Sequence, residues 1–140
     1  MKRWPIYLIV AALLVAGCSE TSVFELKTGD CFNRPGSDEV SDVKSVDCAK
    51  PHDYEIFGGV DQPGDAEAAY PGASAIEEAS NVECAALFEP FVGTAYDDSE
   101  LYIYYLAPTA ASWAEGDREI LCALYLQDEQ LTGSMEGSAR

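Results

Sequence analysis

Positive charge is what this sequence has least of. It carries 8 Lys and Arg against 25 Asp and Glu, a formal net charge of −17. So few cations cannot build a basic patch, which argues against nucleic acid as a partner and against electrostatic adhesion to anionic lipid. Histidine is scarcer still. His52 is the only one, and zinc sites draw on several His or Cys ligands. The acidic pairs Asp97-Asp98 and Asp38-Glu39 lack the Asp-x-Asp-x-Asp-Gly spacing of a calcium loop. There is no Ser/His/Asp signature, no Gly-rich phosphate loop, no internal repeat and no long low-complexity tract. Long apolar runs are missing too. The stretch from Ile6 to Ala16 is shorter than the roughly 20 residues a membrane-spanning helix needs.

That short run is informative in its setting. Lys2 and Arg3 precede it, and the small residues Ala16 and Gly17 follow, just before Cys18. This is the layout of a secretory signal. Val15-Ala16-Gly17-Cys18 resembles a bacterial lipobox. The resemblance implies diacylglyceryl transfer to the Cys18 sulfur, cleavage before Cys18, and a mature lipoprotein on the extracellular face of the cell membrane. Residues 1–17 then form the signal peptide and 18–23 a lipidated tether. Extended, Ser19 to Val23 reaches only about 17 Å, so the folded part sits close to its membrane. Without Lys2 and Arg3 the chain keeps 6 cations against 25 acids, a formal −19. About 115 residues remain to fold, enough for one core and not two.

Five cysteines look odd until Cys18 is assigned to lipid. Cys31, Cys48, Cys84 and Cys122 remain, and an even number in an exported domain of this size points to two disulfides. Four cysteines allow three pairings, and the element pattern favours one. "FELKTGDCF" begins with alternating Phe24 and Leu26 and reads as a short entering strand. Residues 33–42 are a polar loop around Pro35-Gly36. Residues 43–48 form a strand that Pro51 interrupts. Residues 54–60 form another, with Tyr54, Ile56, Gly58 and Val60 sharing a face. Ser74-Ala75-Ile76-Glu77 fits a capping box at the start of a helix. Ile76, Ser80, Cys84, Leu87, Phe88 and Phe91 then fall on one side at helical spacing, and Gly93 stands at the stop. Residues 101–108 and 118–127 are strands, separated by a turn segment holding Trp113.

Strands before and after a single main helix imply an α+β fold, an antiparallel sheet with the helix packed on one face. Cys84 lies on the apolar face of the helix and Cys122 on the apolar face of the last strand. Both point into the layer between helix and sheet, which favours Cys84–Cys122 and leaves Cys31–Cys48 to close the loop around Pro35-Gly36. That loop closure is worth roughly 3 kcal/mol in the unfolded chain.

The pieces "FELKTGDCF", "VDCAKPHDYEIFG", "YPG", the helix Cys84 and "SWAEGDREILCALYLQDEQLTGS" together resemble the actinobacterial Septum formation domain, over residues 24–134, with 135–140 as a C-terminal tail. The resemblance implies an exported, disulfide-bonded domain at the outer face of a Gram-positive membrane, with a link to cell division. It brings no catalytic residues and no cofactor. Where family members span the membrane, this sequence carries a lipid anchor.

Two clusters in the sequence invite a chemical reading. Cys48 and His52 would make a nucleophile and base only if the thiol were free, and the cysteine count assigns it to a disulfide. His52, Asp53 and Glu55 would need a fourth ligand to hold a metal, so no specific metal is expected. Carboxylate pairs for glycoside cleavage cannot be placed from sequence, because their separation in space decides the chemistry. Trp113 and Arg118, flanking Gly116-Asp117, are either an interface pair or a core-closing tryptophan beside an arginine paired to a local carboxylate; the second is favoured. Tyr102 and Tyr104 share one face of their strand, opposite Tyr105. The expectation is a non-enzymatic envelope protein binding a protein or cell-wall component through such residues. The alternative is a ligand-sensing or solute-binding lipoprotein, for which a deep apolar cleft near the tyrosine strand would speak.

Overall fold

The computed structural model describes residues 20–36 and 40–140. The signal segment, Cys18 and the Asp38-Glu39 pair lie outside the described residues. The chain forms β1 (Glu20–Ser22), β2 (Cys31–Phe32), β3 (Asp42–Val46), β4 (Tyr54–Asp61), α1 (Ala73–Val92), β5 (Tyr102–Leu106), α2 (Ala110–Ala114) and β6 (Glu119–Tyr125). The six strands make an antiparallel sheet in the order β1-β3-β2-β4-β6-β5. Helix α1 packs on one face, so the α+β expectation holds. Both disulfides pair as the element pattern favoured, Cys31 with Cys48 and Cys84 with Cys122.

The sheet carries a core on each face. On the helix side Phe57, Cys84, Phe88, Val92, Ile120, Cys122 and Leu124 are buried together. On the other side Val23, Leu26, Phe32, Val43, Tyr54, Ile56 and Leu121 form a second cluster. Strand β6 feeds both layers through its alternation, Ile120, Cys122 and Leu124 to one and Leu121 and Ala123 to the other.

Several local expectations are corrected. Residues 20–23 belong to the fold rather than to a tether. Strand β1 pairs Glu20, Thr21 and Ser22 with Lys44, Val43 and Asp42, and Val23 is buried. Phe24 and Leu26 do not alternate on a strand. Residues 23–25 make a 3-10 turn that buries Val23 and Leu26 and leaves Phe24 61% exposed, because three residues complete a 3-10 turn and return to the same side. Strand β4 slips register between Ile56 and Gly58. The extra residue splits the expected face: Tyr54 and Ile56 point to the second core, while past Phe57 the residues Gly58 and Val60 pair with Cys122 and Ile120 of the helix side. Gly58 also turns to the helix, where an added Cβ would lie 2.8 Å from Leu87 Cδ1.

The capping box does not form. Helix α1 begins one residue before Ser74, its N-cap is Gly72 at φ 101°, and no side chain caps it. Ser74→Ala should therefore leave the denaturation midpoint unchanged or slightly raised, within about 0.5 kcal/mol, since alanine is the better helix former. A working cap would instead lose about 1 kcal/mol. At the other end Gly93 takes the left-handed conformation at φ 90° and donates to Glu89 O. The expected tail 135–140 is docked here. Gly137 N and Ala139 N donate to Phe91 O and Val92 O, each at 2.8 Å, satisfying carbonyls that the helix end leaves orphaned. The Trp113 segment holds a short helix, α2, whose cap is reciprocal: Thr109 Oγ1 accepts from Ser112 N, and Ser112 Oγ accepts from Thr109 N.

Candidate functional site

The stretch around His52 folds into a structural junction. Cys48 is bonded to Cys31, so it has no thiolate to offer a base. His52 is fully buried. Its backbone exchanges both hydrogen bonds with Leu131, at 3.0 and 2.8 Å. Its Nδ1 lies 2.8 Å from Lys50 O and donates to it, while Nε2 has no partner among the described residues. Glu55 is also fully buried. Its carboxylate accepts from Ser134 Oγ at 2.5 Å and Met135 N at 2.7 Å. Asp53 points elsewhere, accepting from Arg34 N and Gln130 Nε2. The trio weighed as metal ligands, His52, Asp53 and Glu55, is thus not brought together. Cys31, His52 and Glu55 do present ligand atoms within 4.8 Å of one another, but the Cys31 sulfur is held in its disulfide and supplies no thiolate. Asp97 and Asp98 lie in an exposed 3-10 turn.

Trp113 is buried and closes one end of the core. Its Nε1 donates to Ala68 O at 2.7 Å, and Tyr70 meets its ring edge-on at 5.8 Å. Arg118 stacks 3.9 Å over the Trp113 ring. Its guanidinium donates to the carbonyls of Trp113, Asp117 and Asp65. The expected carboxylate partner is replaced by carbonyls, and the pair locks the 61–72 loop to α2.

Tyr54, Tyr102, Tyr104 and Tyr125 occupy the face opposite α1, while Tyr105 packs on the helix side. Phe32 stacks on Tyr54 at 5.2 Å. Tyr54 meets Tyr104 at 4.9 Å and Tyr125 at 5.6 Å, and Tyr125 meets Tyr102 at 5.6 Å. The result is an aromatic ladder running from β2 across β4 and β6 to β5. It becomes more exposed along the way: Phe32 and Tyr54 are buried, Tyr104 and Tyr125 are partly covered, and Tyr102 is 42% exposed. Arg34 sits over the Tyr54 ring at 5.9 Å. A depression lined by Ala85, Ala86, Glu89, Pro90 and Gly93 lies on the outer side of α1.

Three carboxylates close one end of this face. Asp61 and Glu119 are opposite each other across β4 and β6. Glu119 Oε1 lies 2.6 Å from where a Cβ on Gly59 would be, beside Leu121, which fixes it to the tyrosine side. Asp117 accepts from Ser112 Oγ and Glu119 N. Burial, followed by the nearby Asp61 and Asp117 charges, pushes the Glu119 carboxyl above its ordinary value. The folded chain therefore holds a proton that the unfolded chain has released, and stability falls as pH rises above the ordinary glutamate value. Glu119→Gln removes that penalty. A small rise in thermal midpoint is expected at pH 7, on the order of 1–2 °C, fading below about pH 4. Melting curves at the two pH values check it, and a lower midpoint at pH 7 would contradict it.

The profile of the Septum formation family matches residues 28–140, which takes in both disulfides, the His52 junction and the tyrosine face. The chain belongs to the Septum formation family. Similar proteins include two uncharacterized membrane proteins of Mycobacterium tuberculosis, one from strain CDC 1551 / Oshkosh and one from strain H37Rv. Each is 32% identical over 106 residues, covering 69% of this chain and 23% of the relative. The chain thus spans about a quarter of the length of these relatives. No solved structure matches it. Among the described residues of this Septum formation domain, no helix is long and apolar enough to cross a membrane.

Proposed function

We propose that this Septum formation protein is a non-enzymatic, lipid-anchored component of the cell envelope. On this reading it acts in septation by binding a protein or cell-wall partner through its tyrosine face. The observation that carries the reading is the aromatic ladder. It lies on the sheet face that α1 leaves uncovered, and it is most exposed at the edge strand β5. Tyrosine supplies large contact area with a polar tip at little conformational cost, which is why it is enriched at interfaces. A binding role rather than a catalytic one is supported by the chemistry of the reactive groups. All four cysteines of the domain are in disulfides, and the lone histidine is buried and tied to backbone. The anchor rests on Val15-Ala16-Gly17-Cys18 after the short apolar run. The membrane setting is supported by the two mycobacterial relatives, which are membrane proteins by name.

The test is made in growing cells. The chain is expected to incorporate labelled palmitate, to lose the label and enter the medium as Cys18→Ala, and to concentrate at division sites. An even distribution around the envelope, with no division protein crosslinked to it, would sink the septal role.

A further inference from the structure

His52 is fully buried, yet its Nε2 has no partner among the described residues. Nδ1 donates to Lys50 O, a carbonyl that can only accept, so Nδ1 carries the ring proton. Nε2 therefore presents a bare lone pair to the interior, and an unpaired buried acceptor is costly. Glu55 is equally buried. Its carboxylate is met by Ser134 Oγ and Met135 N, and no ion pair among the described residues involves it. A ring nitrogen of His52, a carboxylate oxygen of Glu55 and the Cys31 sulfur lie within 4.8 Å of one another. Metal-binding histidines and carboxylates are held in this way, each by an outer hydrogen bond that fixes the ring tautomer or the carboxylate. Only the bond on the Cys31 sulfur keeps the three from being a ligand set.

The two disulfides differ in access. Cys84 and Cys122 are both fully buried, whereas Cys48 is half-buried in a loop whose Asp47, Ala49, Lys50 and Pro51 are exposed. A dithiol can attack the Cys48 sulfur, and the S–S bond then breaks with Cys31 leaving as thiolate. The second thiol displaces Cys48 from the mixed disulfide. The dithiol ends as its own disulfide, and Cys31 and Cys48 each take one of its protons. We propose that the reduced Cys31 and Cys48, with His52 Nε2 and Glu55, form a zinc site. Zinc displaces the two thiol protons and is held by two thiolates, one imidazole and one carboxylate. The dication answers both the orphaned lone pair and the unpaired buried charge. Tetrahedral zinc holds its ligand atoms about 3.3–3.8 Å apart, so the cluster contracts by at most about 1.5 Å while Cys48 moves with its exposed loop. Calcium and magnesium take oxygen ligands and do not suit this set. The metal joins β2 to the 47–51 loop, as the disulfide does, and adds β4 through Glu55. The site exists only in the reduced chain and is independent of the tyrosine face.

The test uses the full chain as Cys18→Ala in non-ionic detergent, so that the domain's own cysteines are the only ones. A water-soluble phosphine opens the accessible disulfide, taking its oxygen from water, and alkylation should find free thiols at Cys31 and Cys48 alone. Cobalt(II) is titrated in and then displaced by zinc. The reduced chain should show thiolate-to-cobalt charge transfer and tetrahedral d–d bands, and the oxidised chain neither. Cys48→Ala frees Cys31 without a reductant and should bind roughly a hundredfold more weakly, through three ligands and water. Cys31→Ala breaks the same disulfide and should not bind. In the reduced chain, His52→Gln and Glu55→Gln should each weaken zinc by more than about tenfold, which two free thiols alone would not show. Zinc at about 100 times its Kd should raise the thermal midpoint of the reduced chain by roughly 10 °C. If reduction unfolds the chain, zinc should restore its near-ultraviolet circular dichroism. Octahedral cobalt without charge transfer, equal affinity in the oxidised chain, or equal binding by the Cys31 and Cys48 variants would each overturn the inference. So would opening of Cys84–Cys122 first, or a reduced chain that zinc neither stabilises nor refolds.

Discussion

Replacing Cys84 and Cys122 together by alanine is expected to lower the unfolding free energy by about 4 kcal/mol. The bond closes a 38-residue separation, and restricting a loop of that length in the unfolded chain is worth close to that amount. Both cysteines are fully buried in the layer between α1 and β6, among Phe57, Phe88 and Leu124, so lost packing adds to the entropic term. Against a total stability of roughly 5–15 kcal/mol the loss is large, and the thermal midpoint should fall by roughly 15–20 °C. Removing Cys31 and Cys48, separated by 17 residues, should cost less, about 3 kcal/mol. Calorimetry of the two double variants checks the order as well as the sizes. The reverse order would mean that the helix is held to the sheet by its apolar face alone.

The next largest loss is expected at Glu55. Its carboxylate is buried in β4 and accepts from Ser134 Oγ and Met135 N. Glu55→Ala leaves a buried N–H and a hydroxyl without an acceptor, at a cost of about 3 kcal/mol. The damage should spread beyond the site. Met135 lies in the helix-side core, and Gly137 and Ala139 cap the end of α1. Amide exchange at Gly137 and Ala139 should therefore accelerate well before the strands open. Glu55→Gln keeps an acceptor for Met135 N and should cost about 1 kcal/mol. An alanine variant that leaves the C-terminal amides protected would show that the segment is held by Leu131 and Met135 rather than by the carboxylate.

What could be read from the sequence divides along physical lines. The disulfides were legible because periodicity puts Cys84 and Cys122 on apolar faces that meet. The shared face of Tyr102 and Tyr104 followed from period-two alternation in β5, and both rings do join the ladder. The capping box was misleading because a local motif competes with backbone geometry: Gly72 at φ 101° lets the chain enter the helix one residue earlier. The bulge in β4 had no signal beyond Gly58-Gly59, since a register slip depends on the partner strand. The α2 cap was present as Thr109 and Ser112, with serine in place of the usual glutamate. Other features join residues distant in sequence and needed the fold. Asp61 meets Glu119 through strand register, and Glu55 reaches Ser134 across 79 positions. The setting of His52 needed the fold in the same way, because its backbone partner is the distant Leu131.

The central claim is that the tyrosine face is the working surface. A photoreactive amino acid placed at Tyr102, exposed at the edge of that face, tests it against the same group at Val82, which is 66% exposed on α1. Both anchored variants are irradiated in dividing cells, and the adducts are identified by mass spectrometry. The account predicts one recurrent envelope partner from position 102 and none from position 82. Capture of that partner from position 82 alone, or equally from both, would contradict it.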